Sequence, residues 1–140
     1  MGCIEVSDVL LDTQALIWLL EDNPRIGSTA VRLAEQALAN GRLCASAISF
    51  WEVAMLAVRK RIDITVAPDV WRQKALAQGV AEIPLSGRIA VTAVLLENFH
   101  PDPADRFVAA TALEHDAVLI TSDRKILDWQ GPLARHDARL

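Results

Sequence analysis

The chain has 140 residues, 52% of them hydrophobic, and a formal net charge of −4. This length suits one domain, and the acidic balance argues against a protein that holds nucleic acid or anionic lipid through a broad basic surface. The hydrophobic content is high for a small monomer, so we expect apolar surface for a partner.

Short apolar runs alternate with helical patterns along the chain. In the first half of the chain we predict a strand over 8–11, helices over 13–22 and 28–40, and a strand over 42–46. The next helix starts at Ser46 or Ser49 and ends between 59 and 61. We then predict a helix over 68–78, a strand over 80–85, helices over 87–99 and 103–115, and a strand over 117–121. This alternation predicts an α/β fold with a mainly parallel sheet, in a single domain over 1–140.

Turn-forming and capping residues set several of these boundaries. Pro24 disfavours helix in the residue before it, so the first helix should end there. Ser28 is predicted to cap the second helix, and Gly41 to end it. Pro68 suits the first turn of a helix, which Gly79 is predicted to close.

The two cysteines, Cys3 and Cys44, are far apart and form no metal-ligand pattern. A disulfide scaffold is therefore not expected, and a reducing cytoplasm fits best. Neither a leader nor a membrane-spanning run is recognisable, because the longest apolar stretches contain Asp12 or Glu52 near their middles.

Acidic residues follow two of the predicted strands. Asp12 comes directly after the first strand, and Asp123 comes two residues after the last. In open parallel sheets, ligands bind in the crevice beyond the carboxyl ends of the strands, so both carboxylates can face one cleft. The alternative for Asp12 is a plain helix cap, a common role for acids after strands.

Glu52 is the only charged residue between 45 and 58. Its neighbours at i−4, i+3 and i+4 are apolar, which predicts that its carboxyl projects from the core-facing side of a helix. A buried carboxylate needs a cation or hydrogen-bond donors. An ion pair with Arg106 and a capping box with Ser49 are the alternatives to a metal.

The sequence DPAD (102–105) opens a helix. Asp102 takes the N-cap position, Pro103 the first helical position and Asp105 the third, so we interpret Asp102 mainly as a cap. Asp105 gains from the positive end of the helix dipole, yet its carboxylate can still lean into the cleft beyond the strands.

Carboxylates that meet in one crevice repel one another unless a cation lies between them. Oxygen ligands without histidine or cysteine favour Mg²⁺ or Mn²⁺ over zinc. Such an ion lowers the pKa of water, orients it for in-line attack on phosphorus and offsets the charge of a phosphate. The residues in question are Asp12, Glu52, Asp105 and Asp123.

Three segments together resemble the PIN-domain nucleases, and specifically the VapC-like toxins of type II toxin–antitoxin pairs. They are LLDTQALIWLL (10–20), SAISFWEVAMLAVRKRI (46–62) and HPDPADRFVAATALEHDAVLITSD (100–123). They occur in family order over nearly the whole chain, and the interval from Asp105 to Asp123 is similar to the family's. The pattern D-P-x-D-R, followed by a strand and T-x-D, is fairly specific.

The resemblance implies a function for each matched residue. It places the family's metal-binding, catalytic acids on Asp12, Glu52, Asp105 and Asp123. In the family these acids bind Mg²⁺ or Mn²⁺ for the hydrolysis of RNA phosphodiester bonds. Supporting residues beside them are Thr13, Ser122, Asp102 and Arg106, of which Arg106 is interpreted as structural support.

The resemblance also implies a three-layer α/β/α sandwich, a homodimer, and inhibition by a separate antitoxin that inserts a segment into the groove near the acids. One departure concerns the first acid, Asp12, which comes later in the chain than such toxins usually place it. Residues 1–7 are therefore a candidate extension.

Two other classes stay open. A catalytically silent PIN-like module would bind protein or RNA and use the acids only for caps and ion pairs. A phosphoryl-transfer enzyme or response-regulator receiver also gathers acids at strand ends, but the sequence DTQ (12–14) lacks the second aspartate of a D-x-D motif, and no lone lysine after a late strand stands out.

Arg124 and Lys125 directly follow Asp123 and are the best candidates for RNA contact. Trp18 and Trp51 lie in apolar helices, so we expect them in the interior or at a dimer interface rather than stacked on bases.

The three histidines, His100, His115 and His136, show no ligand spacing with one another or with the acids. A histidine-based nuclease mechanism is therefore not expected.

Overall fold

A computed structural model describes residues 7–140. The prediction for Cys3 and all of the candidate extension except Ser7 thus lie outside the described residues. The strands are β1 (Val9–Leu11), β2 (Leu43–Ser46), β3 (Ala81–Ile83), β4 (Val118–Thr121) and β5 (Arg135–Asp137). The helices are α1 (Thr13–Leu20), α2 (Ser28–Ala39), α3 (Ala47–Val58), α4 (Pro68–Ala77), α5 (Gly87–Leu95), α6 (Pro103–Glu114) and α7 (Arg124–Leu127).

The five strands form one parallel sheet in the order β3-β2-β1-β4-β5. Leu11 pairs with Ala45 of β2 and with Ile120 of β4, so these three central strands end at nearly the same level. The chain builds β2 and β3 on one side of β1, and β4 and β5 on the other. Strand order therefore reverses beside β1, which is where a ligand crevice opens in such sheets.

Side chains alternate along β1 and face two different cores. Val9 and Leu11 pack against α1 to α4 on one face, where Trp18 and Trp71 are buried. Leu10 packs on the opposite face, against α5, α6 and α7. This arrangement confirms the predicted three-layer α/β/α sandwich.

The N-terminus of α2 is capped by backbone rather than by Ser28, so that prediction was wrong. Ser28 is the first helical residue, and the N-cap residue Gly27 makes no side-chain bond. The carbonyls of Ala138 and Leu140 accept hydrogen bonds from the Gly27 and Ala30 amides instead. A Cβ at Gly27 would lie 2.2 Å from the Leu140 carbonyl carbon, so only glycine permits this approach.

Helix α5 ends at Leu95, four residues before the predicted end at 99. The guanidinium of Arg106, one turn into α6, donates hydrogen bonds to carbonyls of the last turn of α5 and of the segment that follows it. Its acceptors are the carbonyl oxygens of Ala93 (2.9 Å), Leu96 (3.3 Å), Phe99 (2.7 Å) and His100 (3.0 Å). Arg106 therefore fixes the turn that leads into the acidic run.

The sequence patterns missed β5 and α7. Arg135–Asp137 carries no apolar residue, and its pairing comes from hydrogen bonding to β4. Helix α7 has four residues, too few to show a helical period. None of the helices within residues 7–140 combines the length and apolar content needed to span a bilayer.

Candidate functional site

Asp12 lies at the junction of β1 and α1 and is 5% exposed. Its Oδ1 accepts the amide of Ala15 at 2.8 Å, so the helix-cap reading is confirmed. Its Oδ2 accepts the hydroxyl of Thr121 at 2.5 Å. The pKa of Asp12 is raised to about 6, mainly by burial and also by the negative charges of Asp123 and Glu52, while the two hydrogen bonds lower it.

Thr121 is a site residue that sequence reasoning missed. Its fully buried hydroxyl donates to Asp12 and accepts the amide of Asp123 at 3.1 Å. It therefore ties the end of β1 to the turn after β4. One signal was available, because a hydroxyl at the end of a buried strand needs a polar partner.

Glu52 projects from α3 into the cleft and is half-buried, so the prediction that it faces the core was wrong. Both alternatives for it are also wrong: Arg106 is engaged by backbone carbonyls, and the cap of α3 is Ser46 rather than Ser49. Burial raises the pKa of Glu52, while hydrogen bonding from Thr13 lowers it.

Thr13 joins α1 to α3 beneath the carboxylates. Its buried hydroxyl forms a hydrogen bond with the Ser49 hydroxyl at 3.0 Å and also lies close to the Glu52 carboxylate. The predicted supporting residue Thr13 thus lies beside two of the elements that carry acids.

Asp102 caps α6, as predicted, by accepting the amide of Asp105 at 3.1 Å. The carboxyl of Asp105 then turns towards the other acids. The pKa of Asp105 is raised to about 8, first by desolvation and then by the negative charges of Asp102, Asp123, Glu52 and Asp12. Asp105 is therefore the acid whose pKa is raised by the largest number of neighbouring carboxylates.

A cleft of about 280 Å³ gathers these side chains at the carboxyl ends of β1 and β4. It is lined by Asp12, Thr13, Gln14, Ile17, Glu52, Leu56, Asp105, Ser122 and Asp123. The structure thus brings together the four predicted acids and both predicted hydroxyl residues. A larger cavity of about 570 Å³, between Ala57 and Pro68, contains one carboxylate, Asp63, and lies away from this cluster.

The two predicted RNA-contact residues lie on α7, beside Asp123. Arg124 is exposed and lies 3.6 Å from Asp137 and 3.9 Å from Asp128, while the Lys125 amide donates to Asp123 Oδ1 at 2.8 Å. Both side chains are solvent-exposed next to the mouth of the cleft.

His100 contradicts the expectation that no histidine belongs with the acids. Its Nε2 lies 3.4 Å from Asp105 Oδ2 and 3.9 Å from Asp123 Oδ2. One ligand atom from each of these three residues lies within 4.8 Å of the other two. His100 comes close to the acids because of the turn that Arg106 stabilises. The spacing of residues in the sequence does not reveal this turn.

The donor set fits a divalent cation. Within residues 7–140, no lysine or arginine forms an ion pair with Asp12, Glu52, Asp105 or Asp123. The pKa values of Asp12 and Asp105 are raised, first by burial and then by the neighbouring carboxylates. Clustered carboxylate oxygens in a small polar cleft are the ligands that Mg²⁺ and Mn²⁺ prefer.

Comparison with known proteins gives concordant matches. The PIN domain model matches residues 9–130. Ribonuclease VapC22 of Mycobacterium tuberculosis is 35% identical over 128 residues, covering 91% of this chain and 95% of that protein.

Solved structures agree with the sequence matches. A toxin–antitoxin complex from Klebsiella pneumoniae has 25% identity and a TM-score of 0.61, covering 94% of this chain and 98% of that one. DNA-bound VapBC from Salmonella typhimurium has 18% identity and a TM-score of 0.66, with the same coverage, and supports the fold alone. The fold, the extent of the family match and the near-complete overlap with a relative together show that this chain belongs to the PIN-domain family.

Proposed function

We propose that this protein is a ribonuclease that hydrolyses RNA phosphodiester bonds with Mg²⁺ or Mn²⁺, and that it is the toxin of a toxin–antitoxin pair. The observation that carries the proposal is the convergence of Asp12, Glu52, Asp105 and Asp123 on one cleft in which no lysine or arginine within residues 7–140 neutralises them. The ribonuclease activity named for the relative from Mycobacterium tuberculosis supports the choice of substrate.

In this proposal the four acids would bind the ion, and hydrogen bonds from neighbouring groups orient the acids. Thr121 and the Ala15 amide orient the two oxygens of Asp12, and the Asp102 cap fixes the first turn of α6 that presents Asp105. A Mg²⁺ or Mn²⁺ ion held by these acids would lower the pKa of the attacking water and offset the negative charge of the phosphate. Ser122 lines the same cleft and offers a hydroxyl for orienting water.

The substrate backbone approaches across α7 in this proposal. Arg124 and Lys125 provide exposed positive charge beside a cleft that is otherwise acidic. Such contacts position a phosphate chain without reading its bases. A cytoplasmic location is part of this proposal, because the proposed substrate is RNA.

The central test is cleavage of a labelled RNA by the purified, antitoxin-free protein in Mg²⁺ or Mn²⁺. Asp105→Asn should lower the rate by about 100-fold or more, because it removes a ligand rather than an outer neighbour. Asp69→Asn is a matched control, since Asp69 occupies the first turn of the Pro-initiated helix α4 and is exposed. Equal cleavage by the parent and Asp105→Asn would refute the assignment.

Calorimetry with Mn²⁺ separates this proposal from a silent PIN-like module. Saturable binding that Glu52→Gln weakens supports the enzyme, because Glu52 lines the cleft. No binding at millimolar ion would favour the silent module.

We also propose a cognate antitoxin and a homodimer as partners. The Klebsiella pneumoniae neighbour is titled a toxin–antitoxin complex, and this chain leaves large apolar side chains exposed, including Trp51 at 56%. The interior reading of Trp51 was therefore wrong, and its place in an interface stays a prediction. Co-purification with the product of a neighbouring small reading frame that encodes a DNA-binding protein tests the antitoxin.

A further inference from the structure

We propose that His100 is a direct nitrogen ligand of the divalent cation, and that it shifts the site's preference from Mg²⁺ towards Mn²⁺. The inference rests on the proposed function, because His100 approaches Asp105 and Asp123, two of the acids that line the cleft, from outside the set of lining residues. It extends the all-oxygen donor set, Asp12, Glu52, Asp105 and Asp123, by one imidazole that neither the sequence pattern nor the comparisons assign.

The position of His100 Nε2 is that of a ligand atom. It faces Asp105 Oδ2 at 3.4 Å and Asp123 Oδ2 at 3.9 Å. Two donors that share an ion at about 2.1 Å lie roughly 3 Å apart at a right angle and about 3.4 Å apart at a tetrahedral one. The three atoms thus need only small movements to surround one centre.

No hydrogen bond in the described part of the chain explains where this nitrogen points, and its two carboxylate neighbours, Asp105 and Asp123, lie only at ion-pair distance. His100 Nε2 is buried and has no hydrogen-bond partner within residues 7–140, and the side chain is only 11% exposed. Its distances to both carboxylates exceed those of an ordinary hydrogen bond, and a charge-assisted one would be shorter still. A buried polar atom without a partner is costly, so a bound ion accounts for its placement.

The ring is held rigidly in this orientation. It stacks on Phe99 with centroids 4.7 Å apart and planes inclined by 20°. The carbonyls of Phe99 and His100 both accept hydrogen bonds from Arg106, which is itself one residue after Asp105. The same short stretch of chain therefore positions a carboxylate and an imidazole around one point.

A nitrogen donor has a predictable effect on metal choice. Mg²⁺ is a hard ion that favours oxygen and gives little binding energy to imidazole. First-row transition ions bind imidazole more readily, so one nitrogen among carboxylates raises the affinity for Mn²⁺ relative to Mg²⁺. Removing that nitrogen should lower Mn²⁺ affinity while changing Mg²⁺ affinity much less.

The test combines spectroscopy with calorimetry on the full chain. Electron spin-echo modulation of bound Mn²⁺ should show directly coordinated nitrogen in the parent protein and none in His100→Phe, which keeps an aromatic ring against Phe99. By calorimetry, His100→Phe should weaken Mn²⁺ binding by at least about tenfold and Mg²⁺ binding by clearly less. His115→Phe is the control, because His115 is exposed at the end of α6.

The outcomes separate this inference from the proposed function. The inference is overturned if the parent shows no nitrogen coupling. It is also overturned if a folded His100→Phe binds Mn²⁺ as tightly as the parent or more tightly. Tighter binding would mean that His100 competes with the ion for Asp105 and Asp123. The spectroscopic arm uses the parent and needs no variant to fold. If Asp105→Asn abolishes Mn²⁺ binding while nitrogen coupling is absent, the proposed function stands and only the inference fails. A parent protein that binds no Mn²⁺ overturns both.

Discussion

The hydroxyl of Thr121 connects the two halves of the site. It donates to Asp12 Oδ2 and accepts the amide of Asp123, so one side chain orients acids that stand far apart in the sequence. Groups that hold a metal ligand in place commonly matter nearly as much as the ligand. At the residue scale, the geometry of the site thus depends on a threonine that carries no charge.

Thr121→Val should reduce metal affinity by about tenfold or more, because Asp12 loses the donor that fixes one of its oxygens. It should also lower the free energy of unfolding by about 1 to 3 kcal/mol, the cost of a buried acceptor left without its donor. Thr121→Ser keeps the hydroxyl and should keep metal affinity. Calorimetry and urea denaturation measure both effects, and equal affinities for the Val and Ser variants would contradict the assigned role.

The metal-free protein should lose stability as pH rises from about 5 to about 8. The pKa of Asp105 rises from 3.8 to about 8 on folding and that of Asp12 from 3.8 to about 6, so the folded state binds more protons. Stability from a raised pKa is complete below the unfolded value and is lost as pH passes the folded value. Saturating Mg²⁺ should remove this loss, because the ion favours the ionised carboxylates.

Thermal unfolding in EDTA measures this dependence. The melting temperature of the parent should fall by several degrees between pH 5 and pH 8, and Asp105→Asn should show a clearly smaller fall. An equal fall of melting temperature with pH in both proteins would show that the ionisation of Asp105 does not cause the loss of stability.

At the scale of elements, the α5–α6 connection positions the third acid and His100. The chain leaves α5 at Leu95 and turns so that four carbonyls point at the Arg106 guanidinium, which also lies 5.7 Å above the Phe99 ring. Arginine suits this role because its planar fork donates several hydrogen bonds at once. The connection is consequently a rigid part of the site and not a loose linker.

Arg106→Met should lower the free energy of unfolding by about 3 kcal/mol, because several carbonyls lose a charged donor and the methionine replaces only the apolar stem. Arg88→Met is the control: Arg88 pairs with Glu114 at 2.7 Å, but its side chain is 83% exposed, so its loss should cost less than about 1 kcal/mol. Denaturant titration compares the two. Similar losses would mean that Arg106 is an ordinary surface arginine.

The sequence predicts elements well where local chemistry decides them. Asp102 and Pro103 specify the start of α6, and Gly41, with φ of +67°, ends α2 as expected. It predicts less where distant chain segments decide. The cap of α2 comes from backbone near Leu140, and β5 forms because β4 offers it hydrogen bonds. Neither contact leaves a periodic pattern.

The same division holds within the site. The acids could be predicted because a charge in an apolar stretch is visible in one dimension, as with Asp12 and Glu52. His100 could not, because its role depends on how the chain turns before α6. Thr121 offered one signal, a hydroxyl at the end of a buried strand, but its partner depends on which strands are neighbours. Parallel sheet order, which sequence only suggests, is what brings β1 and β4 together.

In the molecule as a whole, the acidic cleft lies at one end of the sheet, and an outer helix offers apolar surface. On α5, Val91, Val94 and Leu95 are 60%, 76% and 69% exposed and lie at i, i+3 and i+4 spacing. Such a stripe is costly to leave in water and is typical of an association surface.

Sedimentation should therefore detect a dimer of the parent protein, and Val94→Asp should shift it towards monomer, because a charge would be buried in the contact. The exposed position of Val94 means that the monomer itself should stay folded. Asp116→Ala, a substitution in the exposed turn after α6, is the control and should leave association unchanged. A parent that is monomeric at every concentration would contradict the expected homodimer.

The central claim is that Asp12, Glu52, Asp105 and Asp123 enclose a divalent cation. Anomalous diffraction at the manganese edge, from crystals soaked in Mn²⁺, tests it most directly. A peak is expected in the cleft, within ligand or water-bridging distance of these four carboxylates. A peak elsewhere, or none at millimolar Mn²⁺ with the cleft open to solvent, would contradict it.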